Sequence, residues 1–239
     1  MLLLFDIDGT LLQGTTRPVA EAMRAALRDV HGVDTSLIRT QIETAGRTDA
    51  EIARAILLDV GVSTERIDAL ATRVRESCCR SFARLLRADL SSAVLPGIRE
   101  LLDWLTDQKD VRLGLLTGNY EPIARLKLAR AGIDGAFAPG QGAFGSDAED
   151  RTALPEIARQ RAGTSEAPYP RRDTIVIGDT PRDIACARAD GLRCVAVASG
   201  SFTSAALADA DVVVRDADEL RLIFRKCADQ TPTGRFIVR

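Results

Sequence analysis

The chain has 239 residues, 46% of them hydrophobic, enough for one full domain core and a smaller second one. Its 32 basic and 34 acidic residues leave a formal charge of -2, so no whole-molecule field recruits nucleic acid or an anionic membrane, and a charged ligand must be captured locally. Five cysteines without a CxxC pair point to reduced thiols, and Asp6 and Asp8 interrupt the apolar start before a signal-peptide core forms, so a soluble cytoplasmic protein is expected.

The first predicted element is a buried strand over Leu2–Phe5. From about Arg17 to Leu86 there is no strand-like run, only helical periodicity. Within it Thr48 and Glu51 have the spacing of a capping box, and Gly46 and Gly61 punctuate that unit. Further on, Ile67, Leu70, Ala71, Val74, Cys78, Phe82 and Leu85 recur every three or four residues, which places them on one helix stripe. Pro96-Gly97 marks a return to alternating elements: a helix over Ile98–Gln108, a strand over Val111–Leu116, helices over Glu121–Ala131 and Thr152–Arg161, a strand over Thr174–Ile177, a helix over Asp183–Ala189, and strands over Arg193–Ala198 and Val212–Val214. Strands alternating with helices predict an α/β fold, a doubly wound parallel sheet. The strand-free interval reads as an inserted all-helical domain, giving a core of residues 1–15 and 90–239 and an insert of residues 16–89. The final dozen residues mix turn formers with Phe236-Ile237-Val238 and are expected to form a tail.

Asp6-Ile7-Asp8-Gly9-Thr10 follows the first strand directly. Ligands of such sheets bind at the carboxyl ends of the strands. Two acids in one loop, at about 4 Å and an effective dielectric near 20, repel by roughly 4 kcal/mol, an arrangement that commonly holds a cation. A second acidic pair, Asp179 and Asp183, lies in Gly178-Asp179-Thr180-Pro181-Arg182-Asp183 after another strand, although Asp183 would also suit a helix cap. Carboxylates gathered from two strand ends suit magnesium. Thr117-Gly118-Asn119 ends a third strand before a helix, where backbone N–H groups and a hydroxyl bind an anion or simply cap the helix.

These strings, DIDGT, LLTGN and GDTPRD in that order on an α/β background, resemble the motif set of the haloacid dehalogenase superfamily over nearly the whole chain. The resemblance implies a Rossmann-like core with a helical cap inserted between the first two motifs, and a phosphatase that hydrolyses a small phosphorylated metabolite with Mg2+. It further implies Asp6 as nucleophile and Asp8 as acid/base, with Asp6, Asp8 and Asp179 around the metal and Asp183 behind them. Thr117, Gly118 and Asn119 would take the phosphoryl group. The family's basic residue, most often a lysine, falls best on Arg151, while Lys127, the only lysine in that interval, reads as a solvated mid-helix side chain. Ala45-Gly46-Arg47-Thr48-Asp49 resembles a cap loop of phosphoglycolate phosphatases that reaches the active site, so Arg47 is a candidate for a substrate carboxylate, though an exposed arginine beside a helix cap is also an ordinary solvated charge. By the same resemblance, Thr10 and a cap without lysine argue against a phosphomutase, and retention of both aspartates argues against an idle binding protein. No sequence feature specifies an oligomeric state.

Other signals carry less. Gly140-Gln-Gly-Ala-Phe-Gly145 fits GxGxxG, but Asp147, Glu149 and Asp150 follow and would repel a pyrophosphate. Cys78 and Arg84 have the CxxxxxR spacing yet fall inside the amphipathic stripe, so Cys78 reads as core. A single histidine, His31, leaves no basis for a multi-histidine metal site or a Ser-His-Asp triad.

Overall fold

Six short apolar runs are drawn into one all-parallel sheet, because their residues are buried on both faces and such strands need helices above and below. The computed structural model describes residues 1–35 and 42–229. Its strands are β1 (Leu2–Phe5), β2 (Arg112–Thr117), β3 (Ala143–Phe144), β4 (Thr174–Gly178), β5 (Arg193–Val197) and β6 (Val212–Val214), in the spatial order β3-β2-β1-β4-β5-β6. Chain direction across the sheet reverses between β1 and β4, and that switch point opens a crevice at the strands' carboxyl ends.

Alternation along the strands sorts the core. Leu3, Phe5, Leu113, Leu115, Ile175, Ile177, Val195 and Val197 face one side, where they meet α4 (Ile98–Thr106), α5 (Glu121–Ala131) and α8 (Ala217–Asp229). Leu2, Leu4, Leu116, Val176, Cys194 and Ala196 face the other, covered by α6 (Leu154–Ala162) and α7 (Pro181–Ala189). Helices on both faces make the sheet doubly wound, as expected.

The strand-free interval contains α1 (Thr16–His31), α2 (Asp49–Asp59) and α3 (Thr64–Leu85). Ala22, Met23, Ala26 and Leu27 of α1 pack with Ile67, Val74, Cys78 and Phe82 of α3 in a cluster continuous with the one under α4 and α5. Ser77 donates to Asp29 across the α1–α3 pair at 2.9 Å. Thr48 caps α2 by accepting from Glu51 N–H at 3.1 Å, whereas the Glu51 carboxylate, rather than completing the expected box, faces Arg47 at 3.4 Å.

Several boundaries differ from expectation. The helix expected from Asp183 begins at Pro181, making Asp183 its third residue: Pro is at ease at a helix start because its missing N–H has no partner there anyway. The helix expected from Thr152 begins as a 3-10 turn over Arg151–Ala153. The two-residue β3 lies inside the GxGxxG string, too short to show alternation. Among the described residues, no helix is long and apolar enough to cross a membrane. The expected C-terminal tail falls mainly on residues 230–239, outside the described residues.

Candidate active site

Asp6, Thr117 and Asp179 are carried to one place because β2, β1 and β4 are neighbours and each loses its ladder at the same end. Asp6 N–H still donates to Ile177 O at 2.9 Å, so its side chain leaves the sheet from a fixed backbone. Gly9 and Gly200 let the backbone come close to Asp179, since a Cβ on either would collide with its carboxylate where it stands.

Asp6, Asp179 and Asp183 are all buried, and each offers a carboxylate oxygen within 4.8 Å of the other two. Arg151 lies among them, also buried. Its Nη2 donates to Asp6 Oδ1 at 3.1 Å and to Asp183 Oδ1, and its Nη1 donates to Gly46 O at 3.0 Å. Asp183 also closes the α7 capping box, its Oδ2 accepting from Thr180 N–H at 3.0 Å and from Thr180 Oγ1 at 2.7 Å. Structural cap and site residue are therefore the same side chain.

One guanidinium does not balance three carboxylates. Burial pushes the Asp6 carboxyl above its usual range, Arg151 opposes that, and the charges of Asp183 and Asp8 add to it. For Asp179, burial and the charges of Asp6 and Asp183 push it up to about 8. An all-oxygen group so short of positive charge, Asp6, Asp179 and Asp183 together, could hold a hard divalent cation.

Asp8 has a different setting. Lys127 Nζ donates to its Oδ1 at 2.8 Å and its Oδ2 at 2.7 Å, Asn119 Nδ2 donates to Oδ2 at 2.8 Å, and Thr15 Oγ1 donates to Oδ1. Burial alone would push Asp8 up, but the Lys127 ammonium and these hydrogen bonds outweigh it and hold the carboxyl below its usual range. The Asp8 carboxylate, expected among the metal ligands, is thus engaged by Lys127 and Asn119 instead of joining the group formed by Asp6, Asp179 and Asp183. Lys127 itself corrects the sequence reading. Far from being solvated, it is 0% exposed. The signal was present: position 127 stands three and four residues from Ala124, Ile123 and Ala131, on the buried stripe of α5.

Thr117 is fully buried, and its Oγ1 accepts from Asn119 Nδ2 at 3.0 Å. Tyr120, not Asn119, occupies the N-cap position of α5. The 45–49 loop closes over this turn: Asp49 N–H donates to Gly118 O at 2.8 Å, and Tyr120 N–H donates to Asp49 Oδ2 at 2.8 Å. The approach is so close that a Cβ on Gly118 would strike the Arg47 carbonyl.

A cavity of about 580 Å³ joins these groups. Asp6, Asp8, Thr117, Asn119, Arg151 and Asp179 line its floor, and Met23, Arg47 and Ile52 are among its other walls. Arg47 Nε is buried without a hydrogen-bond partner, its 3.4 Å approach to Glu51 being an ion-pair contact only.

The sequence pattern of the haloacid dehalogenase-like hydrolases matches residues 3–188. The phosphoglycolate phosphatase of Pseudomonas syringae pv. syringae is 27% identical over 232 residues, covering 95% of this chain and 80% of that protein, and that of Pseudomonas putida is 26% identical over 234 residues at the same coverage. Among solved structures, the β-phosphoglucomutase of Clostridium difficile superposes with a TM-score of 0.64 at 20% identity, covering 94% of this chain and 95% of that one. The CbbY protein of Rhodobacter sphaeroides, solved with phosphate, gives 0.62 at 20% identity, covering 92% and 95%. At these identities the structural likeness speaks for the fold.

Proposed function

The chain belongs to the haloacid dehalogenase-like hydrolases, and on that premise we propose that it is a Mg2+-dependent phosphatase of a small phosphorylated metabolite, working through an aspartyl-phosphate on Asp6. The observation that carries this reading is the buried group of Asp6, Asp179 and Asp183, three close carboxyls of which Asp6 and Asp179 are pushed up, a group that calls for a cation at the end of the sheet.

In this reading Asp6 attacks phosphorus and the leaving oxygen departs, which splits one displacement into two easier ones. Asp8 gives the leaving oxygen its proton and later takes one from the water that releases phosphate from Asp6. Mg2+ bound by Asp6 and Asp179 would supply positive charge facing the phosphoryl oxygens. The Thr117 hydroxyl, already accepting from Asn119, keeps its own proton for a phosphoryl oxygen, and the Gly118 and Asn119 backbone adds to that side. Arg151 holds Asp6 and Asp183 in place. Residues 16–89 would form the cap and residues 1–15 and 90–239 the core, with the cap excluding water from the site.

For the substrate, the named relatives and the buried Nε of Arg47, which makes no hydrogen bond and only an ion-pair contact with Glu51, favour 2-phosphoglycolate or a similar small phosphorylated acid, whose carboxylate would pair with Arg47. Phosphate release from 2-phosphoglycolate and from 4-nitrophenyl phosphate, with Mg2+ and with excess chelator, tests the reading. Turnover is expected only with the metal, and Asp6→Asn is expected to abolish it on both compounds. Undiminished hydrolysis by Asp6→Asn would reject the nucleophile, and a chelator-insensitive rate would reject the metal.

A further inference from the structure

Lys127 occupies a place on the buried stripe of α5, beside Ala124 and Leu128, that an apolar side chain would fill without taking a charge out of water. Its ammonium is not paired at random. Nζ reaches both oxygens of Asp8 and also donates to Asn119 Oδ1 at 2.9 Å, while Asn119 Nδ2 donates back to Asp8 Oδ2 at 2.8 Å. Side chains from the loop after β1, the loop after β2 and the middle of α5 thereby close a ring on one carboxylate. Asp8 keeps 18% of its side-chain surface open, and it lines the reaction cavity.

We propose that Lys127 is a positioning residue, which together with Asn119 and Thr15 fixes the Asp8 carboxylate so that the part of it lining the cavity meets the oxygen leaving phosphorus and then the incoming water. The inference rests on the reading of Asp8 as proton carrier. Over the two steps Asp8 gives one proton to the leaving oxygen as the ester P–O bond breaks, then takes one from water as the bond to Asp6 breaks. Lys127 itself keeps its protons throughout. Asn119 has a share in the same task, since it is fixed by Lys127 through one end of its amide and holds Asp8 through the other.

The test compares kcat/KM on an alkyl phosphate, whose alkoxide leaves only with a proton, and on 4-nitrophenyl phosphate, whose phenolate needs little help. General acid–base catalysis contributes about 10²–10⁴-fold, so Lys127→Met is expected to lose about 100-fold on the alkyl ester and under about 10-fold on the aryl ester, with KM changed by less than about 3-fold. Lys127→Arg, which keeps the charge, should recover part of the alkyl activity. In an Asp8→Asn background, Lys127→Met should cost nothing further on either ester. Equal losses on the two esters, or losses that add in the double variant, would make Lys127 a structural residue only and overturn the proposal. If Lys127→Met alone fails to fold because Asp8 is left buried and unpaired, the double variant removes both charges, and its comparison with Asp8→Asn decides. Failure here leaves Asp6→Asn inactive, whereas failure of the wider phosphatase reading shows as an active Asp6→Asn.

Discussion

The cavity has two sides built on opposite electrostatic plans. On the sheet side Asp6, Asp179 and Asp183 crowd three carboxylates around one arginine, and Asp6 and Asp179 are pushed upward. Two residues away, on the α5 side, Asp8 is surrounded by donors and held low. The sheet side is fixed by strand ends, while the α5 side is clamped by the 45–49 loop through Gly118 and Tyr120. Neighbouring acids of one loop are thus given opposite electrostatic surroundings by what the fold brings up behind each.

The sheet side is sharpened most by Asp179→Asn. Removing one acid relieves repulsion, so in chelator the variant should melt at or above the wild-type temperature, but it should lose Mg2+-induced stabilisation and up to about 100-fold in activity at fixed Mg2+. Thermal melts with and without Mg2+ check this, and a wild-type response to the metal would remove Asp179 from the ligand set. On the α5 side, Gly118→Ala should separate the loop from the turn it covers. Because the obstacle is the backbone carbonyl of Arg47 and not a side chain that can turn aside, a loss of about 3 kcal/mol is expected in urea unfolding. An unchanged midpoint would show that the clamp is dispensable.

The smallest effect concerns Asp49, which burial pushes up to about 6 from 3.8, against the Tyr120 N–H that it accepts. A carboxyl raised in the folded state binds its proton more tightly there, so its contribution to stability is complete below pH 3.8 and is lost as pH rises through about 6. Asp49→Asn, which can still accept from Tyr120, should therefore lose on the order of 2 kcal/mol less than wild type between pH 4 and pH 7. Parallel stability–pH curves for the two proteins would show that the Asp49 charge is tolerated at the clamp.

Much of this was legible in the chain. β1 and the two acids after it follow from a four-residue apolar run stopped by Asp6, and the placement of Asp179 after β4 follows in the same way. Arg151 was reached through family resemblance, not through its own pattern. Lys127 was misread because charge was weighed above position, although the α5 stripe ran through it. The two-residue β3 was missed because a pair of residues carries no period.

Local sequence determined which segments become strands and helices and which residues stand at the strand ends, since side-chain periodicity and turn chemistry act over a few residues. The tertiary structure alone decided that Asp183 meets Arg151, that Lys127 ends on Asp8, and that the 45–49 loop covers Gly118. Those contacts join positions 32, 119 and about 70 residues apart. They exist because sheet order and the packing of α5 bring distant segments together, and the cost of an unpaired buried charge then selects the partners.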